Sequence, residues 1–215
     1  GYASGDATTT SGNNVGVGYA SLTTNILSSK NVALGNNALK THNLASAGDG
    51  LNVAVGHGTG EAVTTGTRNT LIGGLAGDAL TTGSFNTAFG YAALSTEDTA
   101  NNNTAFGYAA LTTLNGGTQN VAVGQSAAAA MTTGNGNTLI GTNAGDSLTD
   151  ADRNIAIGYL ALPADTLGSR SIAIGIGALE VQNFTSATNT YNIAIGYDTG
   201  NSIETGVKNT LIGGL

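Results

Sequence analysis

The phrase Asn, β-branched, small, apolar, Gly recurs from one end of this 215-residue chain to the other, and no other feature limits its fold so strongly. It starts at Asn14, Asn31, Asn52, Asn69, Asn86, Asn103, Asn120, Asn137, Asn154, Ser171, Asn192 and Asn209. Successive starts are seventeen positions apart, as from Asn14 to Asn31, except where four extra residues fall in the turns 31–51 and 171–191. A glycine stands four places after every anchor, from Gly18 to Gly213. A fixed period marks a stacked architecture, and this one is too short for helix-pair repeats, which need about 33 residues or more. It suits an all-β solenoid in which each repeat makes one coil of two or three short strands joined by tight corners. About 12 coils at about 4.8 Å each make a rod on the order of 55 Å long. Residues 1–215 then form a single repetitive segment. Gly1 and Leu215 both fall inside a repeat, so the segment is expected to belong to a longer fibre.

Thin coils also account for a composition that looks too poor for a core. Glycine contributes 34 residues, and charged residues only 9% against a norm of about 25%. Collagen is excluded, because it needs glycine at every third position and abundant proline, and there is one proline. Without cysteine there is neither a disulfide framework nor a thiolate metal site. No apolar run is long enough to span a membrane, so no membrane insertion by this segment is expected. Six cations against thirteen acids argue against a nucleic-acid partner.

With the anchor as position zero, the first strand covers +1 to +3, as in Ile155-Ala156-Ile157, where β-branched residues favour extended backbone. A second short strand is expected near +6 to +9, as in Ala92-Ala93-Leu94-Ser95. The Thr-Thr-Gly phrases at 64–66, 81–83 and 132–134 read as corners in which glycine supplies a positive φ. Positions +8 and +11 vary together. Where +8 is leucine (Leu22, Leu39, Leu94, Leu111, Leu162, Leu179), +11 is Asn25, His42, Glu97, Leu114, Asp165 or Gln182, polar in all but one. Where +8 is small (Gly60, Gly77, Ala128, Gly145, Gly200), +11 is Val63, Leu80, Met131, Leu148 or Ile203. Close packing requires such compensation of volume. The two coil types run in pairs, which makes the larger unit a block of four coils.

Positions +1, +2 and +3 are all apolar or β-branched, yet successive side chains point to opposite faces. A strand apolar on both faces is normally covered on both. Leu71, Leu139 and Leu211, at +2, are large for an exposed outer face. Identical chains around a threefold axis are the simplest cover, so a homotrimer is expected.

The phrases Ser171-Ile172-Ala173-Ile174-Gly175, Asn192-Ile193-Ala194-Ile195-Gly196 and Asn120-Val121-Ala122-Val123-Gly124 resemble the head repeats of YadA-type trimeric autotransporter adhesins. The longer phrases Asn86–Leu94 and Asn103–Leu111 are similar to repeats of phage tail fibres and related surface proteins. The resemblance covers essentially the whole chain. It implies a left-handed parallel β-roll, assembled as an intertwined trimer, in an extracellular attachment fibre on a bacterial surface or a virion tail. Its partner would be a cell-surface glycan or protein receptor. The adhesin repeat is typically a few residues shorter than this one, which bears on strand and corner placement.

No constellation for catalysis stands out, and neither a cofactor nor a metal is expected. His42 and His57 occupy different positions and share no repeated partner. Asp78 and Asp146, both at +9, read as caps of turns rather than weak cation ligands, because the Gly-Gly-x-Gly-x-Asp calcium pattern of other β-rolls is absent. Lys30, Arg68, Arg153, Arg170 and Lys208 all directly precede an anchor, which puts them on one edge of the rod as a solvated corner, an inter-chain contact or a ligand-facing stripe. Tyr19, Tyr91, Tyr108, Tyr159 and Tyr197 all stand at +5, where aromatic rings can cover a corner or stack on sugars. The anchors Asn14, Asn31, Asn52, Asn69, Asn86, Asn103, Asn120, Asn137, Asn154, Asn192 and Asn209 read as a structural amide ladder. An attachment fibre is the favoured function. The alternative is a monomeric solenoid that binds ice or a polysaccharide surface; a polysaccharide-cleaving β-helix lacks its carboxylate cluster.

Overall fold

The computed structural model describes residues 2–96 and 99–214; Gly1, Leu215 and Glu97, one of the polar residues at +11, lie outside the described residues. All secondary structure is β, and one parallel sheet of 12 strands runs the length of the solenoid. Each strand is the +1 to +3 segment of a coil, from Val15–Val17 to Thr210–Ile212, and pairs in register with the same positions of the next coil. The four-residue insertions leave that register intact. Their surplus is accommodated on the far side of the coil, where Gly48–Asp49 pairs with Ser28–Ser29 and Thr188–Asn189 with Gly168–Ser169.

The expected second strand is absent. Positions +6 and +8 are left-handed in coil after coil, for example Ala92 (φ 53°) and Leu94 (φ 55°), so the backbone there cannot be extended. The segment is instead a stack of turns, tied to the neighbours by bonds such as Leu94 N–H to Ala110 O (3.0 Å) and Ala92 N–H to Gly74 O (3.0 Å). Leucine in a left-handed conformation costs about 1–2 kcal/mol. Full burial of its side chain returns about 1.5–3 kcal/mol, and Leu22, Leu39, Leu94, Leu111, Leu162 and Leu179 are all buried. Burial wins narrowly, which is why leucine persists where glycine would fit the backbone better.

The Thr-Thr-Gly corners also differ from expectation. Gly66, Gly83 and Gly134 do not have positive φ. A Cβ at Gly66 would run into the carbonyl of Gly83 and stand 3.2 Å from the Asn69 amide, so glycine is required there by close approach between coils.

The core is built from columns +2, +7, +8 and +11, with the anchors at its margin. Position +2 faces inward, and Leu71 and Leu139 are fully buried. Their size, which pointed to a cover by other chains, is therefore met inside the single coil and gives no argument for a trimer; Leu211, in the last coil, is half-buried. Their room comes from glycine at +8, since a Cβ at Gly77 would stand 2.9 Å from Leu71 Cδ2 and one at Gly145 would stand 2.9 Å from Leu139 Cδ2. Volume is thus balanced over three columns. Polar side chains at +11 are as buried as apolar ones: Asn25, His42, Asp165 and Gln182 are all fully enclosed.

The balance between +2 and +8 gives a direct test. Gly77→Leu alone should destabilise by about 2–4 kcal/mol through overpacking against Leu71 and the left-handed backbone. Adding Leu71→Ala recreates the Ala105, Leu111, Leu114 arrangement and should recover most of the loss in urea unfolding. Simple additivity of the two substitutions would refute the coupling.

Candidate ligand-binding face

The anchor column separates interior from surface. In a typical coil the Asn120 side-chain N–H donates to Gly134 O (2.7 Å), and its Oδ1 accepts the Asn137 backbone N–H (3.0 Å). The same pair of bonds recurs from Asn52 through Asn154, and adjacent amides also touch, as Asn137 Nδ2 to Asn120 Oδ1 (3.0 Å). The anchors are thus an amide ladder that closes each coil and caps the strand above it, as the sequence suggested.

Where the ladder is interrupted, a buried polar layer takes its place. Ser171 is too short to reach the Asn192 backbone, and Gln182 spans the gap. Gln182 donates to Asp165 Oδ2 (2.6 Å) and Ser171 Oγ (2.8 Å) while accepting from Asn192 Nδ2 (2.7 Å). Asp165 Oδ1 accepts the backbone N–H groups of Gly168 (3.1 Å) and Phe184 (2.9 Å).

The corresponding layer near the N-terminal end holds His42. Its Nε2 is 2.7 Å from Ser28 Oγ and 3.3 Å from Asn52 Nδ2. Nδ1 makes no regular hydrogen bond, and only a weak interaction with the Thr64 backbone works against the effect of burial, which lowers the His42 pKa to about 4. The folded state therefore holds a neutral imidazole over a range where the unfolded chain, with its histidine near 6.5, takes up a proton. Stability is full above about pH 6.5 and falls as the pH drops toward 4, by an amount on the order of 3 kcal/mol. His42→Gln, which copies Gln182, should flatten this pH dependence in thermal melts. A variant retaining the whole acid loss would refute the assignment to His42. His57, by contrast, is exposed.

On the outside, columns +1 and +3 line the sheet, flanked by −1 and +5. The +1 and +3 side chains are partly or well exposed along the whole rod: Val17 57%, Phe106 48% and Ile212 75%. The +5 tyrosines Tyr19, Tyr91, Tyr108, Tyr159 and Tyr197 are all more than half exposed. They do not form one continuous stripe. Tyr91 and Tyr108 stack (5.9 Å, 11°), Tyr19 stacks on Tyr2 (5.9 Å, 8°), and Ile176 separates Tyr159 from Tyr197. Beside the first pair, Phe89 and Phe106 stack at 4.7 Å and 9° across the corner glycines Gly90 and Gly107. The one-coil spacing of Tyr91 and Tyr108 already pointed to their stack, whereas sequence reasoning missed the phenylalanine pair beside it, for which Phe at +3 in consecutive coils was the signal. Some tyrosines also shield corners: Tyr91 carbon lies 3.4 Å from where a Gly74 Cβ would be.

The −1 column is left-handed in every coil, from Asn13 (φ 57°) to Lys208 (φ 59°). Lys30 pairs with Asp49 (2.7 Å) and, outside the column, Lys40 with Glu61 (3.0 Å). Arg68 lies over the Phe85 ring (5.2 Å) and Arg170 over Tyr191 (5.7 Å). Columns −1, +1, +3 and +5 contain no acid in any coil. Asp78 and Asp146 sit on the other side of the roll, where burial raises their pKa against the bonds to their own and the following backbone N–H, a capping arrangement; Asp78 Oδ1 is buried without a hydrogen-bond partner.

What this face can do chemically is present a flat apolar strip between an aromatic edge and a cationic edge. Comparison with protein-family models, with curated proteins and with solved structures finds no match to this chain.

Proposed function

We propose that the chain is a rigid segment of an attachment fibre, a phage tail fibre or a bacterial surface adhesin, in which three left-handed β-rolls assemble with their sheet faces toward a common axis. The observation that carries this reading is the unbroken outer surface of the sheet. Its +1 and +3 columns hold valine, isoleucine, leucine, phenylalanine and threonine in 12 successive strands, with no charge among them. So long a strip of apolar side chains is characteristic of a surface made to be covered. Its flat stacked geometry suits contact with identical chains along the same axis.

In such a trimer the +5 tyrosines stand at the rim, three copies of each. Weak contacts of the Tyr91–Tyr108 stack with the faces of cell-surface sugars then gain by avidity what each lacks alone. The ice-binding alternative needs a flat array of free threonine hydroxyls. Here Thr64 and Thr132 instead turn theirs to the carbonyls of Thr81 (3.2 Å) and Thr149 (3.3 Å) in the next coil.

Native mass measurement tests the assembly. Three chains of 21.1 kDa are expected, and a stable, folded single chain overturns the trimer. Glycan-array binding of the wild type against Tyr91→Ala/Tyr108→Ala tests the aromatic rim, and equal signals would dispose of it.

A further inference from the structure

The cationic edge is loaded unevenly. Arg153, Arg170, Tyr191 and Lys208 occupy the −1 position of four successive coils. None of the three cations has a carboxylate within ion-pair distance among the described residues, although the chain has thirteen acids. Asp152, next in sequence to Arg153, directs its Oδ1 to the Asn135 backbone N–H (2.8 Å) instead.

The backbone does not ask for these side chains. Gly136 and Gln119 hold the same left-handed position in neighbouring coils, and a non-glycine residue there is the more costly choice. Packing does not ask for them either, because Arg153 and Lys208 are exposed and Arg170 is half-buried. Tyr191 is 49% exposed, and the guanidinium of Arg170 lies over its ring, which leaves a charge and an aromatic surface side by side at this edge.

We propose that this edge binds a linear acidic polysaccharide lying along the rod. Carboxylate or sulfate groups sit on Arg153, Arg170 and Lys208, and a sugar ring rests against Tyr191. The charge spacing favours a polysaccharide over nucleic acid. Duplex DNA carries one charge per about 1.7 Å, whereas stacked coils offer at most one cation per about 4.8 Å. A chain of net charge −7 would repel so dense a polyanion, but it tolerates the sparser charge of a polyuronate. The inference adds a second ligand class to the attachment reading and uses coils other than those of the Tyr91–Tyr108 pair.

The test is binding of the whole protein to immobilised polygalacturonate, with neutral dextran and duplex DNA in parallel. Binding to the polyuronate that weakens with salt, without binding to dextran, is expected. Arg153→Gln/Arg170→Gln/Lys208→Gln should weaken it about tenfold or more, with an unchanged melting temperature, since Gln119 already occupies this column. Tyr191→Ala should also weaken binding, and Lys40→Gln, outside the column, should not. Equal binding by the triple variant, equal retention on dextran, or tighter retention on DNA would each overturn the proposal. Loss of assembly by the triple variant, seen in its mass, would do so too, by making the edge an inter-chain contact. A single-chain protein that binds polygalacturonate as described removes the trimer and leaves this inference standing.

Discussion

Gly107→Ala is expected to abolish cooperative folding or to cost well over about 3 kcal/mol, a larger loss than any surface substitution in the chain. Two independent penalties meet at this residue. Its φ is +142°, a region closed to residues with a Cβ, and the added methyl would run into the carbonyl of Gly124 in the next coil. Neither can relax alone, because moving the Gly124 carbonyl displaces a coil held on both sides by the ladder Gly107 N–H to Phe89 O (2.8 Å) and Gly124 N–H to Phe106 O (2.8 Å). Gly116→Ala is the control. Gly116 also has positive φ (+94°), but a Cβ there would meet nothing within 4 Å, so only the backbone cost of about 1 kcal/mol should appear. Denaturant unfolding of the two variants decides the matter, and comparable small losses would show that the coil spacing can yield.

Asn120→Ala should follow closely, at about 3–5 kcal/mol. The side chain answers two buried backbone groups at once, the Gly134 carbonyl and the Asn137 N–H, and each orphaned group costs about 1–3 kcal/mol. It also touches the amides above and below, Asn103 Oδ1 at 3.2 Å and Asn137 Nδ2 at 3.0 Å, so the damage spreads along the ladder. Asn120→Ser should recover little. Serine is tolerated at position 171 because Gln182 and Thr190 gather around it, whereas the Asn120 coil has Met131 at the +11 position. Thermal melts of both variants check this; a serine variant as stable as the wild type would show that the amide reach is dispensable.

These two columns were fully legible in the sequence, because each solves a local problem that returns every coil. The corner needs glycine, and the anchor needs a short side chain with both a donor and an acceptor. Less local features were misread. Ala92-Ala93-Leu94 has the composition of a buried strand, yet it folds as left-handed turns, because bonds to the coils above and below outweigh the intrinsic reluctance of alanine and leucine. Nor did the sequence say that His42, Asp165 and Gln182 are enclosed, with partners from neighbouring coils for most of their polar atoms. The Tyr91–Tyr108 stack followed from the coil spacing, but the Phe89–Phe106 stack that completes the four-ring patch went unread.

The sequence alone determined the period, the strand at +1 to +3, the register of the parallel sheet and the two invariant columns. Each can be read from the recurrence of one short phrase at a fixed spacing along the chain. Only the tertiary structure decided which side of that strand is the inside. Both sides are apolar, and the large Leu71 and Leu139, which pointed to a cover by other chains, are buried within their own coil. Left-handed backbone before the anchor and at the corner glycine turns +2 inward, and glycine at +8 makes room for the leucines. The same turn leaves +1 and +3 facing out between the +5 edge, with its tyrosines, and the −1 edge, with its cations. Inside and outside are properties of how coils close and stack, and a single repeat does not contain them.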